Sequence, residues 1–238
     1  MKHSLALLFA IICISADAET HFWDVNGQRR EALMQMPVSG GKGKPVLFFW
    51  HGYGGTAKAA AERYQFEKLW PEAVVVYPQG VMVARKVRGV ALEKFGWQLT
   101  TEEFAGRDVA FFDAMLKTLV KEHGVNSGRI FCAGHSNGGR FTQILWALRA
   151  DKLAAVAPSG SNADTALLAR LKPLPCFHIA GEKDEIVPFA RQSETIEHLR
   201  RLNLASGTRF EAWAHPGGHA YPAEGPARVV TFFKQLRP

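Results

Sequence analysis

From residue 45 onward, short apolar runs alternate with segments whose apolar residues recur every three or four positions. The runs are 46–50, 73–77, 129–134, 153–157, 176–180 and 209–214. Runs of five or six residues rich in Val, Ile, Phe and Ala read as buried strands, and the segments between them read as helices. Val109, Phe112, Leu116 and Leu119 mark one face of a helix starting near Arg107 and ending at Gly124. Further helices are predicted over 56–69, 137–149, 163–171, 189–203 and 226–236. Strand and helix alternating in this way predict an α/β fold, with a mostly parallel sheet covered by helices on both faces. Ahead of it, 20–25 and 30–36 flank Asn26-Gly27 and predict an antiparallel hairpin. The glycines of Gly40-Gly41-Lys42-Gly43-Lys44 lack the spacing of a phosphate loop and predict a turn. From Val81 to Gly106 no period holds, and the segment is expected to be a long irregular loop contributing to a pocket.

The N-terminus departs from this pattern. Lys2 and His3 precede an apolar stretch from Leu5 to Ile14, followed by Ala16-Asp17-Ala18. That stretch is shorter than the roughly 20 residues that span a bilayer and it precedes a small-residue cleavage site, so residues 1–18 are expected to be a signal peptide. The protein is then expected to be secreted or periplasmic, without a stable membrane anchor, and residues 19–238 to form a single domain. Composition agrees with a globular chain of this size, at 47% apolar and 21% charged in 238 residues. The net charge of +7 is moderate, and its densest patch, Arg85, Lys86, Arg88 and Lys94, carries no nucleic-acid motif. Nucleic acid is not expected as a partner; a weak attraction to acidic polymers or to a carboxylate product is the functional reading of the patch, a solvated loop the bland one.

Chemistry concentrates after the run 129–134. There Gly134-His135-Ser136-Asn137-Gly138-Gly139 joins a buried strand directly to a helix. A Gly-x-Ser-x-Gly sequence in that setting forms a sharp turn that lifts the serine hydroxyl above the sheet. A serine hydroxyl needs a base, and that base needs an orienting carboxylate. Both follow in chain order. Gly181-Glu182-Lys183-Asp184-Glu185 comes after one strand, and His215-Pro216-Gly217-Gly218-His219 comes at the end of another. Asp184 is the candidate acid, with Glu182 and Glu185 as neighbours that could replace it. His219, freed by two glycines, is the candidate base, with His215 as its competitor. Two backbone donors are also needed for an oxyanion, each worth about 3 to 4 kcal/mol in the transition state. Asn137 can supply one and the loop His51-Gly52-Tyr53-Gly54-Gly55 the other. His51 and His135 are expected to support the site through hydrogen bonds, and His178, inside a buried run, to be core.

From about Pro45 onward the sequence resembles α/β-hydrolases of the secreted polyhydroxybutyrate depolymerase and feruloyl esterase type. The likeness rests on His51-Gly52-Tyr53-Gly54, Asp108-Val109, Ser136-Asn137-Gly138-Gly139, Asp184-x-x-Val187-Pro188 and Gly217-Gly218-His219. It implies an α/β-hydrolase fold, a triad of Ser136, Asp184 and His219, and an oxyanion hole from Tyr53 and Asn137. It also implies a substrate-lining role for Trp97, whose flat indole would form a wall of the pocket; the competing reading is a core plug. Polymer-degrading members carry an additional substrate-binding domain that is not seen before Pro238, so attack on crystalline polyester is not expected. The family's strand order separates Cys132 from Cys176 by one strand, which implies two free thiols. No cofactor and no metal are expected. The expected reaction is hydrolysis of feruloyl or acetyl esters, polysaccharide-linked or small, or of short hydroxyalkanoate oligomers. The alternatives are a serine peptidase or thioesterase on the same fold, or a binding protein without chemistry.

Overall fold

The computed structural model describes residues 18–236 apart from Arg88; the expected signal peptide thus falls almost wholly outside the described residues. An eight-stranded sheet forms the centre. In chain order its strands are β1 (Glu19–Val25), β2 (Gln28–Gln35), β3 (Val46–Trp50), β4 (Val74–Pro78), β7 (Ile130–His135), β8 (Ala155–Ser159), β9 (Cys176–Gly181) and β10 (Phe210–His215). In space they run β1-β2-β4-β3-β7-β8-β9-β10. Along the stretch β4-β3-β7-β8-β9-β10 every pairing is parallel, whereas β1 and β2 pair antiparallel with each other and β2 antiparallel with β4.

The central strands are buried from end to end because helices cover both faces. Side chains alternate between two cores as the pleat requires. Val46, Phe48 and Trp50 of β3 point into one core, shared with α3 (Arg107–His123) and α4 (Asn137–Arg149). Leu47 and Phe49 point into the other, shared with α1 (Ala57–Tyr64), α2 (Phe66–Leu69) and α7 (Gly225–Lys234). The remaining helices are α5 (Thr165–Leu168) and α6 (Phe189–Leu204).

Three expectations change. The helix expected over 56–69 divides into α1 and α2 at Gln65, whose φ is 45°. There the Tyr77 hydroxyl accepts the Phe66 N–H at 2.9 Å and donates to Glu67 at 2.7 Å, so a side chain from β4 captures a backbone donor that would otherwise continue the first helix. The helix expected over 163–171 contracts to the single turn of α5, capped by Asp164, which accepts the Leu167 N–H at 2.9 Å. Most important, the segment expected to be an irregular loop holds a second sheet: β5 (Val81–Val87) and β6 (Val90–Gly96) form an antiparallel hairpin turning at Gly89, φ 83°. This hairpin stands outside the main sheet with β6 largely exposed, so no burial alternation was written into its sequence.

Candidate active site

Apart from Trp97, which follows β6 of the hairpin, the expected site residues follow the carboxyl ends of parallel strands, the edge where parallel sheets build their sites. Ser136 follows β7, Asp184 follows β9, His219 follows β10 and Tyr53 follows β3. The turn at Ser136 is enforced sterically. A Cβ on Gly138 would lie 2.0 Å from the Trp50 carbonyl oxygen, and one on Gly134 would lie 2.4 Å from the Gly138 oxygen, so strand and helix close on each other only through glycine. Ser136 itself sits at φ 56°, ψ −118°, a conformation that L-residues adopt only under constraint.

The structure brings three side chains into one hydrogen-bonded chain. His219 Nε2 lies 2.7 Å from Ser136 Oγ, and His219 Nδ1 lies 2.7 Å from Asp184 Oδ2. Asp184 also accepts the backbone N–H groups of Ile186 at 2.9 Å and Val187 at 2.8 Å, and the Gln192 amide at 2.9 Å. A carboxylate so supplied with donors stays ionised. Burial works to raise its pKa, but the His219 ring and the Val187 and Ile186 amides outweigh it and hold it below the ordinary value. An ionised Asp184 fixes the proton on Nδ1 and leaves Nε2 to accept from the serine. His215 does not compete. Its ring is buried and accepts the Gly217 N–H at 3.2 Å, away from Ser136.

The loop after β3 lies against Ser136: a Cβ on Gly52 would be 3.5 Å from Ser136 Cβ. Its Tyr53 and the Asn137 that opens α4 both line the same cavity as Ser136. The loop is braced from behind by His51. The Gly80 N–H donates to His51 Nε2 at 3.0 Å, so the ring proton sits on Nδ1 and donates to the Gly52 carbonyl at 2.8 Å. Burial pushes the His51 pKa down to about 4 and, with the nearby His219, that of His135 down to about 3, so both rings are neutral at pH 7. His135 packs 5.0 Å from the His219 ring, centroid to centroid. His178 is core, as expected.

Trp97 requires a correction. Its side chain is fully buried, stacked on Phe141 at 5.5 Å and edge-on to Trp50 at 5.0 Å, and its indole N–H donates to the His51 carbonyl at 2.9 Å. It lines no cavity with Ser136. It is the plug beneath the hairpin, and its link to the site runs through its backbone: the Trp97 N–H donates to Asn137 Oδ1 at 2.7 Å and the Asn137 amide donates back to the Trp97 carbonyl at 3.1 Å. The hairpin is held at its other side by the Tyr53 hydroxyl, 2.6 Å from the Leu92 carbonyl and 3.0 Å from that of Val83.

The cavity in front of Ser136 encloses about 450 Å³, and its walls include Tyr53, Arg85, Lys86, Leu99, Arg140 and Val187. Sequence reasoning missed Gln192, Arg85 and Arg140 as site residues. Arg85 is bound to Glu103 and to the Trp97 carbonyl, and Arg140 to Asp164 and to the carbonyls of Leu99 and Asn162. Arg85 stood inside the basic patch, and Arg140 directly follows the serine turn; Gln192 carried no local signal. Among the described residues, no helix is long and apolar enough to cross a membrane, and no group of three or more His, Cys, Asp or Glu is placed to hold a metal ion.

The family model of phospholipases and carboxylesterases matches residues 37–233. A bifunctional acetylxylan esterase/xylanase of Neocallimastix patriciarum is 26% identical over 178 residues, 73% of this chain and 24% of that protein. Feruloyl esterase B of Piromyces equi is 25% identical over 199 residues, 79% of this chain and 36% of that protein. The chain therefore spans about a quarter to a third of the length of these two relatives. A solved ferulic acid esterase superimposes with a TM-score of 0.71 at 18% identity, covering 91% of this chain and 97% of its own. With an α/β-hydrolase sheet, a serine turn at its carboxyl edge and a family match over most of its length, the chain belongs to the phospholipase/carboxylesterase family.

Proposed function

We propose that the protein is a serine carboxylic-ester hydrolase that works through an acyl-enzyme. The observation that carries this reading is the unbroken chain Ser136 Oγ, His219, Asp184, with both links at 2.7 Å. In the first half-reaction Ser136 Oγ attacks the ester carbonyl carbon while its proton passes to His219 Nε2. The carbonyl oxygen becomes an oxyanion, held by the backbone N–H groups of Asn137, at the start of a helix, and Tyr53. As the intermediate collapses, the alcohol leaves with the proton from Nε2. Water then attacks the acyl-serine with His219 again as base, and the acid departs. Asp184 stabilises the imidazolium in both halves without accepting its proton.

Relatives named for acetylxylan and feruloyl ester hydrolysis support acetyl and feruloyl esters as substrates; short hydroxyalkanoate oligomers are a further class that rests on the sequence resemblance alone. The apolar run from Leu5 to Ile14, with Ala16-Asp17-Ala18 after it, supports export to the periplasm or beyond. The test is a rate panel of aryl acetates, methyl ferulate, acetylated xylan and hydroxybutyrate trimers, with a matched anilide and thioester. Turnover of at least one oxygen ester, at least 100-fold faster than the anilide and lost in Ser136→Ala and His219→Ala, is expected. Because the triad acts as a unit, the double variant should be little worse than either single one. Faster turnover of the anilide or thioester would overturn the ester reading.

A further inference from the structure

The basic patch in the sequence is put to separate uses by the fold. Arg85 is consumed internally: Glu103 binds it through both terminal nitrogens, and one of these also donates to the Trp97 carbonyl at 3.1 Å. Lys94, opposite Val83 on the hairpin, lays its stem over the loop after β3, where a Cβ on Gly54 would meet Lys94 Cδ at 3.0 Å. Lys86, opposite Ala91, reaches the wall of the cavity that contains Ser136. A third cation of that wall, Arg140, has its donors engaged by Leu99, Asn162 and Asp164. Among the described residues, then, the two arginines of the cavity each have a carboxylate partner, and Lys86 has none. Asp164 is the sole acid among the described residues of the wall, and Arg140 pairs with it. The cavity carries a surplus positive charge, its amide-bearing wall at the start of α4 adds to that field, and the whole chain is at +7.

We infer that the preferred ester substrates carry a carboxylate, placed so that it meets Lys86 while the ester carbonyl meets Ser136. This rests on the ester-hydrolase reading and narrows it: a neutral ester fills the cavity and leaves Lys86 to water, whereas an anionic one gains an ion pair with this exposed lysine at the cavity wall. Such a carboxylate could sit on the acyl half, as in a monoester of a dicarboxylic acid, or on the alcohol half, as in an ester borne by a uronate or an aromatic acid.

Two matched pairs separate these sources. For the acyl half, the 4-nitrophenyl monoester of adipic acid is compared with 4-nitrophenyl methyl adipate; for the alcohol half, 4-acetoxybenzoate is compared with its methyl ester. The quantity read is the ratio of kcat/KM for the anionic to the neutral member, in the native protein and in Lys86→Ala, Lys86→Arg and Lys86→Glu. In at least one pair the ratio should fall about fivefold or more in Lys86→Ala, fall further in Lys86→Glu and be largely restored in Lys86→Arg, with the change carried mainly by KM. In the native protein the same ratio should fall as salt is raised, because screening weakens a partly exposed pair. The pair that responds identifies the half that faces Lys86. Ratios equal within twofold across all four proteins, for both pairs, would overturn the inference while leaving ester hydrolysis intact. Failure of the native protein to hydrolyse even the neutral esters would instead overturn the reading on which it rests.

Discussion

Ser136 was legible in the sequence because its glycines are demanded by geometry that no other residue satisfies, and the structure shows the clash each would otherwise create. Asp184 and His219 were legible by order along the chain and by their places after strand ends. His215 closes β10 and His219 lies four residues beyond it; the two glycines Gly217-Gly218 favoured His219 over His215 in the sequence, and the structure places His219 Nε2 2.7 Å from Ser136 Oγ. Trp97 was misplaced for the opposite reason. A tryptophan in a segment without periodicity gives no sign of whether its ring faces the cavity or the core, and here the hairpin folds it inward. Its truncation should therefore act on folding before specificity. Trp97→Ala is expected to cost about 3 to 5 kcal/mol of stability and to lower kcat/KM by a similar factor for methyl ferulate and for a short acetyl ester. An unchanged melting temperature with a loss confined to the feruloyl ester would return the indole to the pocket wall.

Among the elements, the parallel strands and α3 were read nearly to their ends because burial imprints a period on them. The hairpin β5 and β6 was not, because it is stabilised by its own ladder and by Tyr53, Asn137 and the Arg85–Glu103 pair rather than by an apolar face. The break at Gln65 was hidden for a related reason: it depends on Tyr77, which is distant in sequence. Strand order has a covalent consequence. Cys132 on β7, Val156 on β8 and Cys176 on β9 stand in register across three neighbouring strands, so the two cysteine Cα atoms are separated by two strand spacings, about 9 to 10 Å. That exceeds the Cα separation a disulfide allows, about 7 Å. Titration of the unfolded, unreduced chain from residue 19 onward, which lacks Cys13, should find two free thiols. A value of zero would contradict the order β7-β8-β9.

At the scale of the molecule, burying imidazoles couples stability to pH. His51 and His178 have their pKa pushed down to about 4 and His135 to about 3, in each case chiefly by burial. Unfolded, each returns to about 6.5 and binds a proton that the folded state refuses. The unfolded state thus carries more protons between pH 6.5 and 4, so stability falls as pH is lowered through that window. The depressed pKa of Asp184 adds a further loss at still lower pH. Each buried histidine should contribute roughly 1 to 2 kcal/mol of destabilisation by pH 5. Melting temperature should accordingly drop between pH 7 and 5, with a shallower slope in His178→Gln. A melting temperature independent of pH over that range would mean that these rings are not held neutral.

The measurement that bears most directly on Ser136 as nucleophile is the intact mass of the protein after brief reaction with a fluorophosphonate, followed by peptide mapping. One adduct per chain is expected, on Ser136, absent in Ser136→Ala and formed at least 100-fold more slowly in His219→Ala, because the oxygen then lacks its base. An adduct on another residue, or an equal rate of labelling in His219→Ala, would contradict the assignment.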